Sequence, residues 1–263
     1  MSLPEPHEGF RWTEAEPGPA LVCTALEPYA QHLFTTRPWT LGSAPPGDTA
    51  AWDEVARTAG VGRAKLVRLH QVHGATAVVR RIGELRDVNH LPDADIVLSN
   101  DQSLALAVQV ADCLPVLVAD RRTGAVAAAH AGWRGLAARA PIEAIEMLGH
   151  AFDSRPRELV VAVGPAISAA KYEVGRDVYE RFEQADFTSR QLARWFAEGA
   201  RPDHWQLNLW QAARDQLESA GVPGNQIFVA QLCTATYPDL LCSYRRDWKD
   251  AGRMAAVIRA RKA

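Results

Sequence analysis

The chain has 263 residues, 48% of them hydrophobic, and a formal net charge of -2. One sizeable core fits that length, which mixed and barrel-like folds cover without splitting. The weak charge gives no general electrostatic reason for a nucleic-acid or anionic-membrane partner.

The opening Met1 to Glu16 lacks the basic head and apolar run of a signal peptide, and no later stretch is apolar for long enough to span a bilayer. A cytoplasmic protein is therefore expected. Cys23, Cys113, Cys233 and Cys242 are too few for a disulfide scaffold and read as thiols.

In chain order, residues 1–19 read as a loosely structured arm and residues 20–263 as one catalytic domain. Short apolar pieces at Ala20 to Leu26 and His32 to Thr36 precede a loop, Leu41 to Ala50, marked by Gly42, Pro45, Pro46 and Gly47. Val67 to Val72 and Ala75 to Val79, rich in β-branched residues, predict one strand interrupted at His73-Gly74. Leu104 to Val110, Pro115 to Ala119 and Ala125 to Ala129 predict three buried strands. Leu136 to Leu148 has helical period, with Pro141 marking a kink or a first turn. Leu159 to Val163 is a strand stopped by Gly164-Pro165. Glu173 to Phe187 and Trp205 to Ala220 read as amphipathic helices, the second closed by Gly221. Ile227 to Leu232, Leu240 to Tyr244 and Met254 to Ile258 read as strands. Strands and helices do not alternate one for one, so the fold class is α+β with mixed sheets rather than doubly wound.

Three residues at strand ends stand out. His73 sits beside a glycine that permits close approach, Cys113 falls between two buried runs, and His130 ends an Ala/Val-rich strand just before Ala131-Gly132-Trp133-Arg134-Gly135. One thiolate and two imidazoles suit a tetrahedral zinc with an open fourth position. The same residues also fit a metal-free pair, Cys113 as nucleophile and His130 as its base, or a copper site. As ordinary residues they would be a small buried hydrophobe and two polar groups at strand ends. A cationic set, Arg37, Arg134, Arg245 and Arg246, offers guanidinium forks for phosphate or carboxylate, with Arg37 the first choice. At least one of Arg245 and Arg246 is expected in a structural ion pair. Trp133 and Tyr244 are candidates to stack on a flat base.

The strings Leu69-His70-Gln71-Val72-His73-Gly74, Ala111-Asp112-Cys113-Leu114-Pro115-Val116, His130-Ala131-Gly132-Trp133-Arg134-Gly135, Gly164-Pro165-Ala166-Ile167, Tyr172-Glu173-Val174-Gly175, Ser243-Tyr244-Arg245-Arg246-Asp247 and Gly252-Arg253-Met254-Ala255 together resemble the YfiH/YlmD family. This family is also called the polyphenol oxidase or laccase-domain family. The resemblance runs from about His32 to Ile258. It implies stacked mixed sheets flanked by helices, related to a toxin deamidase fold, and a zinc on His73, Cys113 and His130, with copper as the other ion attached to the family. It further implies a purine nucleoside phosphorylase acting on adenosine, inosine and guanosine with phosphate, and an adenosine deaminase activity.

By the same resemblance Arg37 lies where phosphate is thought to bind. From their own chemistry and placement, Gln71, Asp112, Arg134, Tyr244 and Arg245 are candidate substrate-binding residues. His70, Gln71 and Asp112 are candidates to orient ligands or substrate. The chain departs from the family in the shortened loop after Arg37, which lacks a Ser-Leu-Asn-Leu run, and in Ala170-Lys171, where a cysteine pair often stands. Three other functions compete. A peptidoglycan-precursor editing amidohydrolase needs no phosphate, and a metal-binding interaction module has no turnover. A copper-dependent polyphenol oxidase lacks support in the multiple His-x-His pairs that multicopper sites need.

Overall fold

The computed structural model describes residues 3–42, 49–84 and 91–261. Residues 43–48, most of the loop expected between Leu41 and Ala50, lie outside the described residues. Among those described, the chain forms three β-sheets and seven α-helices, an α+β architecture.

The first six-stranded sheet runs, edge to edge, Phe10–Thr13 (β1), Ala20–Cys23 (β2), Ala30–Phe34 (β3), Met254–Ala260 (β15), Ala105–Val110 (β7) and Leu66–Val67 (β4). The second runs Ile227–Val229 (β14), Leu159–Val163 (β10), Leu114–Asp120 (β8), Val126–Ala131 (β9), Ile96–Ser99 (β6) and Ala77–Arg80 (β5). A small third sheet joins Glu173–Gly175 (β11), His204–Leu207 (β13) and Phe196–Glu198 (β12). The helices are Thr49–Thr58 (α1), Trp133–Ala137 (α2), Ala140–Phe152 (α3), Arg176–Glu183 (α4), Ser189–Trp195 (α5), Leu209–Ser219 (α6) and Tyr244–Asp247 (α7).

The two large sheets pack face to face, and each is covered on its other side by helices. In β8, Leu117 and Ala119 face the first sheet, whereas Val116 and Val118 face the helical layer with α3 and α6. Both faces of the strand are therefore apolar, which is why its sequence is a continuous run rather than an alternation. β9 follows the same rule with alanines, whose small side chains let α3 lie close over Ala127 and Ala129. On the far side of the first sheet, Ala255 and Val257 of β15 meet Trp52 and Val55 of α1. Truncating a fully buried residue such as Leu117 to alanine is expected to cost about 2–5 kcal/mol.

Several local expectations change. The segment expected as an arm contributes β1, with Phe10 buried, Trp12 donating its indole N–H to Pro4 O at 2.7 Å, and antiparallel pairing to β2. Glu173 to Gly175 and His204 to Leu207 are strands, not first turns of helices: they pair with each other, satisfying in a sheet the amides a helix start leaves open. Leu240 to Tyr244 is not a strand, because Ser243 caps α7 by accepting from the Arg246 amide at 3.2 Å. Pro141 lies in the first turn of α3, which follows α2 as a separate helix. Gly221, at a φ of 89°, ends α6 as expected.

The largest change concerns residues 68–76. β4 and β5 are not halves of one strand; they belong to different sheets, and the chain between them crosses the sandwich. β7 lies parallel to β4 and also crosses, through residues 111–113, into β8. β9 is antiparallel to β8 and so ends where β8 begins, while β6 is antiparallel to β9 and begins there. One end of the sandwich thus collects two crossovers and two strand ends. No helix among the described residues is long and apolar enough to cross a membrane.

Candidate metal centre

His73, Cys113 and His130 meet at that end, each offering one ligand atom, with the three atoms within 4.8 Å of one another. His73 rides the first crossover, Cys113 the second, and His130 the end of β9. The two imidazoles stand edge to face, centroids 4.8 Å apart. His130 is 2% exposed, Cys113 is half-buried and His73 opens to solvent. A Cβ on Gly132 would lie 2.6 Å from Cys113 Sγ, so glycine there is required for the thiol's seat.

Behind the histidines lies a residue the sequence reading did not single out, Asp95, directly before β6 and 0% exposed. Its Oδ1 accepts from His130 Nδ1 at 2.7 Å and from the His73 amide at 3.0 Å. Its Oδ2 accepts from the amides of Gly74 at 2.6 Å and Val72 at 3.3 Å. These bonds hold His73 in the left-handed region, φ 62°. The one available signal was a carboxylate heading the buried run Ile96 to Leu98, where an unpartnered charge is costly.

Burial pushes the Asp95 carboxyl up, but the bond from His130 and the amides of Gly74 and His73 outweigh it and hold the group below the usual carboxylate range. Burial likewise favours the neutral Cys113 thiol; the His130 charge and hydrogen bonds with both histidines prevail and bring it down to about 6. For His130, burial opposes the proton, yet the Cys113 charge and the Asp95 hydrogen bond raise it to about 9. Free of metal, the pair is thus a thiolate beside an imidazolium. A thiolate with two imidazoles, one backed by a buried carboxylate, is a donor set that fits a zinc-type or copper ion. Elsewhere, burial pushes Cys23 and Cys242 up to about 11.

The cluster forms the floor of an open cleft of about 610 Å³, also lined by Gln71, Gln109, Asp112, Trp133, Arg134, Tyr172, Tyr244, Arg245, Trp248 and Arg253. Gln71 is fixed by the backbone of Gln109, donating to its carbonyl at 2.8 Å and accepting its amide at 2.6 Å. Asp112, at a φ of 83°, accepts from Thr234 Oγ1 at 2.5 Å and from the Arg245 amide at 2.6 Å, tying α7 to the crossover. The Arg134 guanidinium lies over Trp133, 4.2 Å from its centroid, and that of Arg245 lies 4.8 Å from the Tyr172 centroid while donating to Glu173 O. Tyr244 and Trp248 are neighbours, 5.7 Å between centroids.

Two predicted residues stand apart. Arg37 is not among the cleft-lining residues; its guanidinium donates to Asp247 at 3.0 Å and to Pro238 O at 2.9 Å. His70 lines the cleft but pairs outward with Asp93 at 2.6 Å. Arg246 makes the expected structural ion pair, with Asp247 at 2.7 Å. Trp248 and Arg253 were not singled out as site residues. Arg253 sits at the head of β15, which begins beside the end of β7, a placement visible only once those strands pair.

These features define a class of α+β proteins with a Cys/His/His cluster under an aromatic and cationic cleft. The chain belongs to the YfiH family; the family model described as multi-copper polyphenol oxidoreductase laccase matches residues 49–261. Over 172 residues the chain is 34% identical to a Bacteroides thetaiotaomicron protein named purine nucleoside phosphorylase, a match covering 65% of this chain and 63% of that one. The match therefore spans less than two thirds of that relative's length. It is 39% identical over 194 residues to the Escherichia coli protein named purine nucleoside phosphorylase YfiH, covering 74% and 73%. In structure it resembles the hypothetical protein YfiH of Bacillus licheniformis, with TM-score 0.85 at 24% identity over 95% of this chain and 99% of the other, a likeness of fold.

Proposed function

We propose that the protein is a metal-dependent purine nucleoside phosphorylase acting on adenosine, inosine and guanosine with phosphate, and that it also deaminates adenosine. The observation that carries this reading is the convergence, in one cleft of about 610 Å³, of the Cys/His/His donor set with guanidinium and aromatic groups. The names borne by relatives at 34–39% identity support it. Such a volume suits a nucleoside with phosphate, falling within the roughly 300–1,000 Å³ of small-molecule sites.

His73, Cys113 and His130 would hold the ion, read here as zinc, with copper the alternative that elemental analysis separates. Bound there, zinc supplies a positive charge that polarises oxygen ligands and lowers the pKa of water. Arg134, Arg245 and Arg253 face the cleft and would hold phosphate against the anomeric carbon. Arg37, tied to Asp247, is the less favoured phosphate ligand. As the new C–O bond forms, the glycosidic C–N bond breaks and its electron pair leaves with the purine. Positioning and charge stabilisation of the oxocarbenium-like state dominate, because phosphate is a weak nucleophile. Tyr244 and Trp248 would stack on the base, and Gln71 and Asp112 would keep the walls in place. In deamination, water replaces the 6-amino group and ammonia leaves.

The thiolate beside an imidazolium favours a second reading, an amidohydrolase of peptidoglycan precursors with Cys113 as nucleophile and His130 as proton carrier. One experiment separates them. Zinc-loaded protein is incubated with inosine or adenosine, with and without phosphate, and free base, inosine and ribose 1-phosphate are followed. Phosphate-dependent base release is expected. Full-rate phosphorolysis by protein shown to be metal-free overturns the metal-dependent reading; absence of nucleoside turnover, with cleavage of a muramyl peptide, selects the second.

A further inference from the structure

We propose that Asp95 is the positioning residue that sets both histidines of the cluster for metal binding, one through its ring and the other through its backbone. The inference rests on reading the cluster as a metal site and goes beyond naming its ligands. A buried carboxylate can only accept hydrogen bonds. His130 Nδ1, 2.7 Å from Asp95 Oδ1, must therefore carry the proton, leaving the Nε2 lone pair free for an ion. The His130 backbone is held by the same residue, its amide donating to Asp95 O at 2.8 Å.

The His73 ring makes no such contact with Asp95; the control runs through the main chain. Three successive amides, Val72, His73 and Gly74, point at the one carboxylate. No neighbouring strand among the described residues takes them, because this segment is crossing between sheets. The carboxylate thus replaces the ladder that would otherwise fix the chain, and it compensates the left-handed backbone of His73, a conformation that non-glycine residues seldom adopt. Two ligands from distant parts of the sequence are set by one side chain, which arrives on a third segment.

Asp95→Asn keeps the shape but cannot keep the pattern. With its amide nitrogen toward Gly74, a donor faces donors; with the nitrogen toward His130, the imidazole must move its proton to Nε2, where the lone pair was needed. Zinc affinity, measured by chelator competition, is expected to fall about 10–100-fold, the usual loss for removing a ligand's outer partner.

Asp120→Asn is the comparison. Asp120 is equally buried and accepts from the amides of Arg122 at 2.7 Å and Thr123 at 3.2 Å, but at the opposite end of β8. It should lower thermal stability while leaving zinc affinity within about threefold. The proposal fails if D95N binds zinc as wild type does, or if D120N loses as much affinity as D95N. A wild-type protein that binds no zinc instead sinks the metal reading beneath it. Should D95N not fold, the imidazole ¹⁵N spectrum of zinc-loaded wild type decides: a proton on His130 Nδ1 is expected, and a proton on Nε2 overturns the proposal.

Discussion

At the floor of the cleft both carboxylate oxygens of Asp95 are taken up within the protein and His130 is 2% exposed, whereas at the rim Tyr244 and Trp248 show 45% and 67% of their surface to solvent. The floor is built at crossovers braced by two sheets. The rim is built on one helical turn, α7, anchored by Asp112 and the Ser243 cap, and on Trp248 directly after it. Preorganised groups act through the geometry they already have, while exposed aromatics gain most of their contact when a ligand covers them. Changes at the floor should therefore strike metal binding and kcat, and changes at the rim should strike KM.

The sharpest way to break this contrast is Cys113→Ser. It should lower both zinc affinity and phosphorolysis by more than the roughly 10–100-fold expected for losing an outer partner. Chelator competition and phosphate-dependent base release measure it; near-normal zinc binding would show that the thiolate is not a ligand.

Next in size is the reactivity of the stripped protein. Thiolate, the reactive form, increases as pH rises through the pKa, so Cys113 alkylation should climb with a midpoint near 6. Cys23 and Cys242, pushed up to about 11, should stay unreacted through neutral pH. At pH 7 the rate ratio should be at least about tenfold, even after allowing for the lower nucleophilicity of a low-pKa thiolate. Site-resolved mass spectrometry over pH 5–9 reads it, and equal rates would remove the His130–Cys113 pairing.

Gly132→Ala tests the floor's packing. Its Cβ would lie 2.6 Å from Cys113 Sγ, so stability should fall by about 1–3 kcal/mol in thermal unfolding, with weaker zinc binding alongside. An unchanged melting curve would mean that the thiol is free to move. The smallest effect is expected from Trp248→Ala. It should raise nucleoside KM about threefold to tenfold, equivalent to about 1 kcal/mol of stacking, with kcat nearly unchanged. A loss in kcat alone would place Trp248 in the chemistry instead.

The site was unevenly legible. Cys113 and His130 stand at the ends of apolar runs, where a thiol and an imidazole are conspicuous. Asp95 was not visible in the same way, because its partners are the backbone amides of residues 72–74 and a ring on β9, and no local pattern announces those bonds. Arg37 reads as a free cation until Asp247 is brought beside it. The first turns expected at Glu173 and Trp205 fail for a related reason: two short segments distant in the sequence pair with each other, and tertiary pairing overrides local helical period.

By itself the sequence determined the buried strands β7, β8, β9, β10 and β15, from continuous apolar runs, and the closing of α6 at Gly221, because both follow from side-chain chemistry within a few residues. Only the tertiary structure decided that β4 and β5 lie in different sheets and that His73 therefore rides a crossover beside Cys113 and His130. Alternation along a strand says which faces are apolar, but not which distant strand takes its hydrogen bonds. That choice depends on the pairing of the whole sandwich, and it gathers the cluster.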